Sequence, residues 1–192
     1  EKRPYGEVVV EEGVRVLRVR TPDTLKVNYY RRGLSELMVP RLFYRKIRQY
    51  IRGNIDIVIV YTPPLPLATL GIKVKKLFRA EYVLNVQDIV PQNAIDLGVM
   101  NNWFVRHYFE LLEKRAYSEA DRITAHSENN VNVLIERRNV PKKKISSLWN
   151  WIDLTPYEGV EKSGRYRRKY GVEDKFVFLF AGVIGPAQDL QF

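Results

Sequence analysis

The chain has 192 residues, 45% apolar and 12% aromatic, with 32 Lys and Arg against 22 Asp and Glu, a net charge of +10. That length suits one ordinary domain with a packed core, or one domain plus part of a second, and its wealth of aromatic and β-branched residues excludes a disordered chain. Mean hydropathy is −0.31, no apolar run approaches the ~18–20 residues of a membrane-crossing helix, and the lack of cysteine excludes disulfides, thiolate zinc sites and cysteine nucleophiles.

The charge is unevenly spread. Residues 1–52 hold 13 basic and 6 acidic residues, a net +7, whereas residues 53–140 hold 10 of each sign and residues 141–192 carry +3. A basic first quarter joined to a neutral body implies an anionic partner met on one face. Residues 1–6 are charged and polar and do not read as a signal peptide. The lack of cysteine fits a reducing compartment.

In chain order, residues 7–20 read as two short strands around Glu12 and Gly13, and residues 21–33 as polar and turn-rich. Pro40 suits a first helical turn, so a helix is expected from Arg41 to Arg52, ending at Gly53. Ile55 to Tyr61 is a continuous apolar, β-branched run, the pattern of a strand buried on both faces. A helix from about 66 to 79, a strand at 82–86, a loop at 87–92 and a helix at about 103–118 follow. Then come a strand at 122–125, a helix from Ser127 to about Arg138, a strand at 145–149, a linker at 150–164, a short helix at 165–170 and a final buried strand at 176–181. Alternation at this spacing predicts an α/β fold, a Rossmann-like parallel sheet with flanking helices. The chain opens in mid-pattern and stops soon after a strand that needs a covering helix, so it reads as part of a longer enzyme. The expected domains are 1–150, lacking its first strand-loop unit, and 151–192, a linker and the start of a second domain.

Ligands of open parallel sheets bind beyond the carboxyl ends of the strands. Those ends carry Thr62-Pro63, Gln87-Asp88, His126-Ser127-Glu128, Asn150 and Gly182 to Gln188. Asp88 at a strand exit can orient or deprotonate a substrate hydroxyl, or cap the next turn. Ser127 reads first as an N-cap, and a capped helix start also attracts anions. Gly182 and Gly185 follow a buried strand, where backbone amides can approach a phosphate, though a tight turn explains them equally. Two histidines and no cysteine argue against a transition-metal site, and His107 falls in its helix's packing or surface pattern. Arg41, Arg45, Arg48 and Arg52 form one helical stripe beside bulky apolar residues, with no acid in 41–52. Such a stripe is either a solvated face or a contact with an anionic membrane, each cation contributing ~1 kcal/mol.

Five ordered segments, VIVYTPPLPLATLG (58–71), NVQDIVPQNAIDLG (85–98), EKRAYSEADRITAHSE (113–128), LWNWIDL (148–154) and FLFAGVIGPAQDL (178–190), resemble the family 4 (group 1) glycosyltransferases. The closest look is to the branch that builds exopolysaccharide, O-antigen and capsule. The resemblance implies the N-terminal half of a GT-B fold, with an acceptor domain followed by a donor domain. It implies transfer of a hexosyl-type sugar, with retention and without a metal or other cofactor, from a nucleotide-sugar donor to a lipid-linked or glycan acceptor. By the same resemblance Asp88 is catalytic, Gln87, Pro91, Ser127 and Glu128 bind the acceptor, and Asn150 to Asp153 form the interdomain hinge. Gly182, Gly185 and Gln188 face the donor. A cytoplasmic location, peripheral on the inner membrane face, goes with it, and the charge and spacing of Arg41, Arg45, Arg48 and Arg52 make that stripe the expected membrane or anion-binding surface.

Two positions depart from the family pattern: Val90 stands where relatives often carry an aromatic, and Asp189 replaces a usual glycine. The Glu-x7-Glu element would lie beyond Phe192 and the opening glycine loop before Glu1, so the chain is expected to transfer no sugar by itself. Two other classes fit the residues less well. A basic nucleic-acid-binding α/β module fits the charge but lacks an RNA-binding aromatic signature. A dinucleotide-dependent oxidoreductase is disfavoured by the absence of GxGxxG.

Overall fold

The computed structural model describes residues 5–24, 27–159 and 164–182. The chain divides into two compact units, Glu1–Trp149 and Asn150–Phe192. The first opens with a hairpin of β1 (Val8–Glu11) and β2 (Val14–Leu17). Its two-residue turn places Glu12 at φ 48° and Gly13 at φ 80°, the primed geometry whose twist matches that of the strands.

α1 spans Tyr29–Tyr50, twelve residues earlier than the expected start at Arg41, and Pro40 lies inside it. An interior proline costs about 3 kcal/mol or more. Two features offset this. Asn28 caps the start, its side chain accepting from the Arg31 N–H at 2.8 Å, and Val39 and Pro40 are buried in a helix that packs against α2. Tertiary packing thus carries the helix through a residue that ordinarily ends one.

Four strands follow, β3 (Ile57–Thr62), β4 (Glu81–Val86), β5 (Arg122–Ala125) and β6 (Ile145–Ser147), in sequential order and all parallel. They alternate with α2 (Leu67–Phe78), the pair α3 (Gln92–Asp96) and α4 (Trp103–Glu119), and α5 (Glu128–Arg138). This is the Rossmann-like α/β architecture that the alternation predicts. The core is one layer: Val60, Tyr82, Leu84, Val86, Ile123 and Ala125 from the sheet meet Ala68, Ile72, Leu112, Ala116, Val131 and Leu134 from the helices. At Gly71 a Cβ would sit 2.4 Å from the Tyr82 ring and 2.8 Å from Val60, so only glycine lets α2 approach this closely.

Two strand expectations are corrected. β3 is not buried on both faces. It is an edge strand of the described sheet, and Ile57, Ile59 and Tyr61 are exposed while Val60 and Thr62 are buried. The helices α2, α4 and α5 all pack on the face that Val60 shares, so an unbroken apolar run here buries one side only. In the second unit, α6 (Arg165–Tyr170) forms where expected. Residues 176–181 form no strand, and Phe178 is 92% exposed. A β-branched or aromatic run makes a strand only when another backbone supplies its ladder, and among the described residues none pairs with it.

Candidate functional site

The parallel registers align the strand ends. Thr62 pairs with Val86, Val86 with Ala125, and Ala125 with Ser147, so the four strands finish in one row. The ladder continues one step further, as Gln87 N–H donates to Thr62 O at 2.9 Å and Leu148 N–H to Ala125 O at 2.8 Å. The residues that follow, Gln87-Asp88 after β4 and His126-Ser127-Glu128 after β5, are thereby gathered on a single rim.

Local bonds fix most of this rim. The Gln87 side chain is buried and its Nε2 donates to Asn85 Oδ1 at 2.7 Å. Thr62, also buried, donates its hydroxyl to Asn85 O at 3.2 Å. Ser127 caps α5, its Oγ accepting from Asn130 N–H at 3.2 Å, while His126 Nδ1 lies 3.3 Å from Asn130 Nδ2. Glu128, in the first turn of α5, suits the positive end of that helix, and it accepts a hydrogen bond from the Ser147 hydroxyl across to β6.

Asp88 differs from all of these. Its side chain is exposed, and among the described residues it makes no hydrogen bond or ion pair. The bond within its turn is a backbone one, Val90 N–H to Asp88 O at 3.2 Å. Asp88 therefore does not act as the N-cap that spacing alone allows. The next helix, α3, begins after a buried Pro91 that offers no side-chain cap. An unpartnered carboxylate on the carboxyl rim of a parallel sheet is free to accept a proton or a hydroxyl hydrogen bond.

Behind this loop lies a network that the sequence reading missed. Gln92 Oε1 accepts from Arg138 Nη2 at 3.2 Å, and Arg138 Nε donates to Glu113 Oε1 at 3.0 Å. The Tyr117 hydroxyl donates to the same oxygen at 3.1 Å. Glu113 is buried, and burial pushes its carboxyl above the usual range while Arg138 and Tyr117 pull it back. The Tyr117 hydroxyl is pushed up, first by burial and then by the Glu113 charge. The chain Gln92–Arg138–Glu113 fastens the end of the Asp88 loop to α5 and α4, lining a concavity of about 710 Å³. The i,i+4 spacing of Glu113 and Tyr117 was a signal for it. The contribution of Arg138, 25 residues on from Glu113, left none.

A second concavity, of about 500 Å³, lies at the opposite edge among Lys75, Glu81, Asp121, Arg122 and Lys144. Neither includes Asp88, because the carboxyl rim of the first unit is an open edge. Of the remaining predicted residues, Arg41, Arg45 and Arg48 lie exposed on α1, with Arg52 just past its end. His107 is exposed and stacks on Trp103 at 5.5 Å. In the second unit, Asp153 accepts from Thr155 N–H at 3.0 Å, which holds its carboxyl below the usual range. Gly182 is exposed there, and Gly185 and Gln188 lie outside the described residues.

Comparison with known proteins agrees with this geometry. Over 165 residues the chain is 24% identical to the Bacillus subtilis (strain 168) protein named "Putative glycosyltransferase YtcC", a match covering 81% of this chain and 37% of that protein. The chain thus spans well under half the length of that relative. The family described as glycosyl transferase 4-like domain matches residues 1–151, which takes in the hairpin, α1, the whole parallel sheet and the Asp88 rim. That match, over most of the chain and all of its folded first unit, makes this protein a member of the glycosyl transferase 4-like domain family.

Proposed function

We propose that residues 1–150 form the acceptor side, and residues 151–192 the start of the donor side, of a two-domain GT-B glycosyltransferase. In this reading the whole protein moves a hexosyl-type sugar from a nucleotide-sugar donor to a lipid-linked or glycan acceptor, retaining the anomeric configuration. It belongs to the building of surface polysaccharide and works on the cytoplasmic face of a membrane. The acceptor oxygen forms the new bond to the anomeric carbon as that carbon's bond to the nucleoside diphosphate breaks. The hydroxyl proton leaves toward Asp88, whose carboxylate aligns the attacking oxygen. Gln87, Pro91, Ser127 and Glu128 shape the acceptor's seat, and Gly182, Gly185 and Gln188 approach the donor diphosphate. No metal or separate cofactor enters the scheme.

The observation that carries this reading is the free carboxylate of Asp88 on a rim where Gln87, Ser127 and Glu128 are already partnered, in a chain of this family. The experiment is a transfer assay on the whole protein, with a panel of labelled nucleotide sugars and a membrane-lipid extract as acceptor. Product configuration is read by NMR coupling at the anomeric proton. Turnover with retention is expected. Turnover with inversion, or no transfer across the panel by a folded protein, contradicts it.

A further inference from the structure

The true start of α1 changes what its arginines belong to. On a helix of 3.6 residues per turn, Tyr30, Leu34, Leu37 and Met38 fall on the same side as Arg41, Arg45 and Arg48. The exposures agree: Tyr30 is 87%, Leu34 66% and Met38 52% exposed, and all three arginines are exposed. Away from this stripe, Val39 and Pro40 are buried and Leu42, Phe43 and Ile47 half-buried, and α1 packs on α2 with Lys73 against the Tyr44 ring. One outward stripe therefore runs about 27 Å from Tyr30 to Arg48, apolar along its first half and basic along its second. Arg52 extends the basic half past the helix end.

The stripe's charges are uncompensated. Among the described residues, Arg41, Arg45, Arg48 and Arg52 have no carboxylate partner, whereas Arg32, on another side of the helix, pairs with Glu36 at 2.8 Å. Arg48 instead lies against the Tyr44 ring. Helix α4 provides the contrast. It too exposes apolar side chains, Phe104, Tyr108 and Leu111, but its arginines are matched by Arg106–Glu110 and Arg115–Glu119 pairs. A solvated face mixes its signs in the manner of α4.

From the pairing of an exposed apolar row with an unpaired basic row on one helix face, we infer that α1 is a docking surface for an anionic phospholipid bilayer. The helix lies in the interface plane with Tyr30, Leu34, Leu37 and Met38 at the acyl boundary and Arg41, Arg45 and Arg48 on lipid phosphates. No described helix is long and apolar enough to cross a membrane, so the contact is a surface one. Charge alone would fit a nucleic acid equally well, since phosphodiesters are also anionic. The apolar half of the stripe decides between them, because it gains only from a partner that takes it out of water. This inference deepens the membrane part of the proposed function but is measured without sugar transfer, so either can fail alone.

The test is co-sedimentation of the full chain with sucrose-loaded vesicles of pure phosphatidylcholine and of phosphatidylcholine with 30% phosphatidylglycerol, beside binding to a single-stranded oligonucleotide. The expected result is preferential binding to the anionic vesicles. Arg41→Gln/Arg45→Gln/Arg48→Gln should weaken it about a hundredfold, and Leu34→Ser/Met38→Ser about tenfold. Lys142→Gln/Lys143→Gln, which removes two equally exposed charges elsewhere, should leave it unchanged within about twofold. All these sites are exposed, and circular dichroism verifies that each variant is folded. Equal loss in the lysine control, indifference to the Leu34/Met38 pair, or tighter binding to the oligonucleotide than to the anionic vesicles would each overturn the inference.

Discussion

The two edges of the parallel sheet are made from the same kinds of residue and use them in opposite ways. At the amino edge, charges are spent on one another. Lys75 Nζ lies 2.7 Å from Asp121 Oδ1, the other Asp121 oxygen accepts from Tyr82 N–H at 2.8 Å, and Arg122 meets Glu81 at 2.7 Å. Partial burial pushes the Asp121 carboxyl up. The Lys75 hydrogen bond, the Tyr82 amide and the charges of Lys75 and Lys144 outweigh that and hold it below the usual range. At the carboxyl edge Thr62, Asn85, Gln87 and Ser127 are tied by hydrogen bonds and the Asp88 carboxylate is left free. The contrast teaches that a concavity lined with charge is no guide to function in itself. In the amino-edge concavity Lys75, Glu81, Asp121, Arg122 and Lys144 already have partners, whereas an open rim with one free acid retains chemistry to offer.

Substitutions can break this contrast at known places. The largest stability effect is expected behind the carboxyl rim, at Arg138→Ala, which leaves Glu113 buried without its cation. Losing one partner of a buried pair costs about 3–5 kcal/mol. The lower end is expected, because Tyr117 still donates to Glu113 and the carboxyl can take up a proton. The sign of the pH dependence follows. The folded variant holds that proton more tightly than the unfolded chain, so its stability falls as pH rises through the raised Glu113 pKa. Urea midpoints across pH 4–8 measure this, and a flat profile would contradict it. Adding Glu113→Gln to Arg138→Ala should recover part of the loss.

At the amino edge, Asp121→Ala removes a salt bridge and the acceptor for a backbone N–H. The side chain is 39% exposed, so solvent screening limits the cost to about 1–2 kcal/mol. Its folded pKa is depressed, so this stability is present above the ordinary aspartate range and is lost as pH falls through the folded value. Wild type and Asp121→Ala should therefore converge in stability on acidification. Arg122→Ala, which breaks a pair whose arginine is 72% exposed, should shift stability by less than about 1 kcal/mol. A larger shift than at Asp121 would mean that the amino edge is organised otherwise.

Much of this could be read in the residues. Period and punctuation located α2, β4, β5, α5 and α6 closely, because each is bounded by its own turn or cap residues, such as Ser127 before α5 and Asn139, at φ 56°, after it. Three features could not be read locally. Pro40 obeys the local rule for a helix start, yet the burial of Val39 and Pro40 in a helix packed against α2 overrides it. Ile57, Ile59 and Tyr61 carry the residue types of a doubly covered strand, but whether a face is covered is a property of the whole sheet. Residues 176–181 need a ladder partner that propensity does not supply. At the site, the rim residues were legible because a parallel sheet brings all strand exits to one edge. The Gln92–Arg138–Glu113 chain was not, because contacts spanning 25 and 46 residues leave no spacing signature.

The most direct test pairs one residue from each edge: kcat and urea midpoint of the whole protein carrying Asp88→Ala or Asp121→Ala, measured side by side. The account predicts a kcat lowered roughly 10²–10⁴-fold for Asp88→Ala at unchanged stability, and a near-normal kcat with lowered stability for Asp121→Ala. Full transfer activity in a folded Asp88→Ala protein would contradict it.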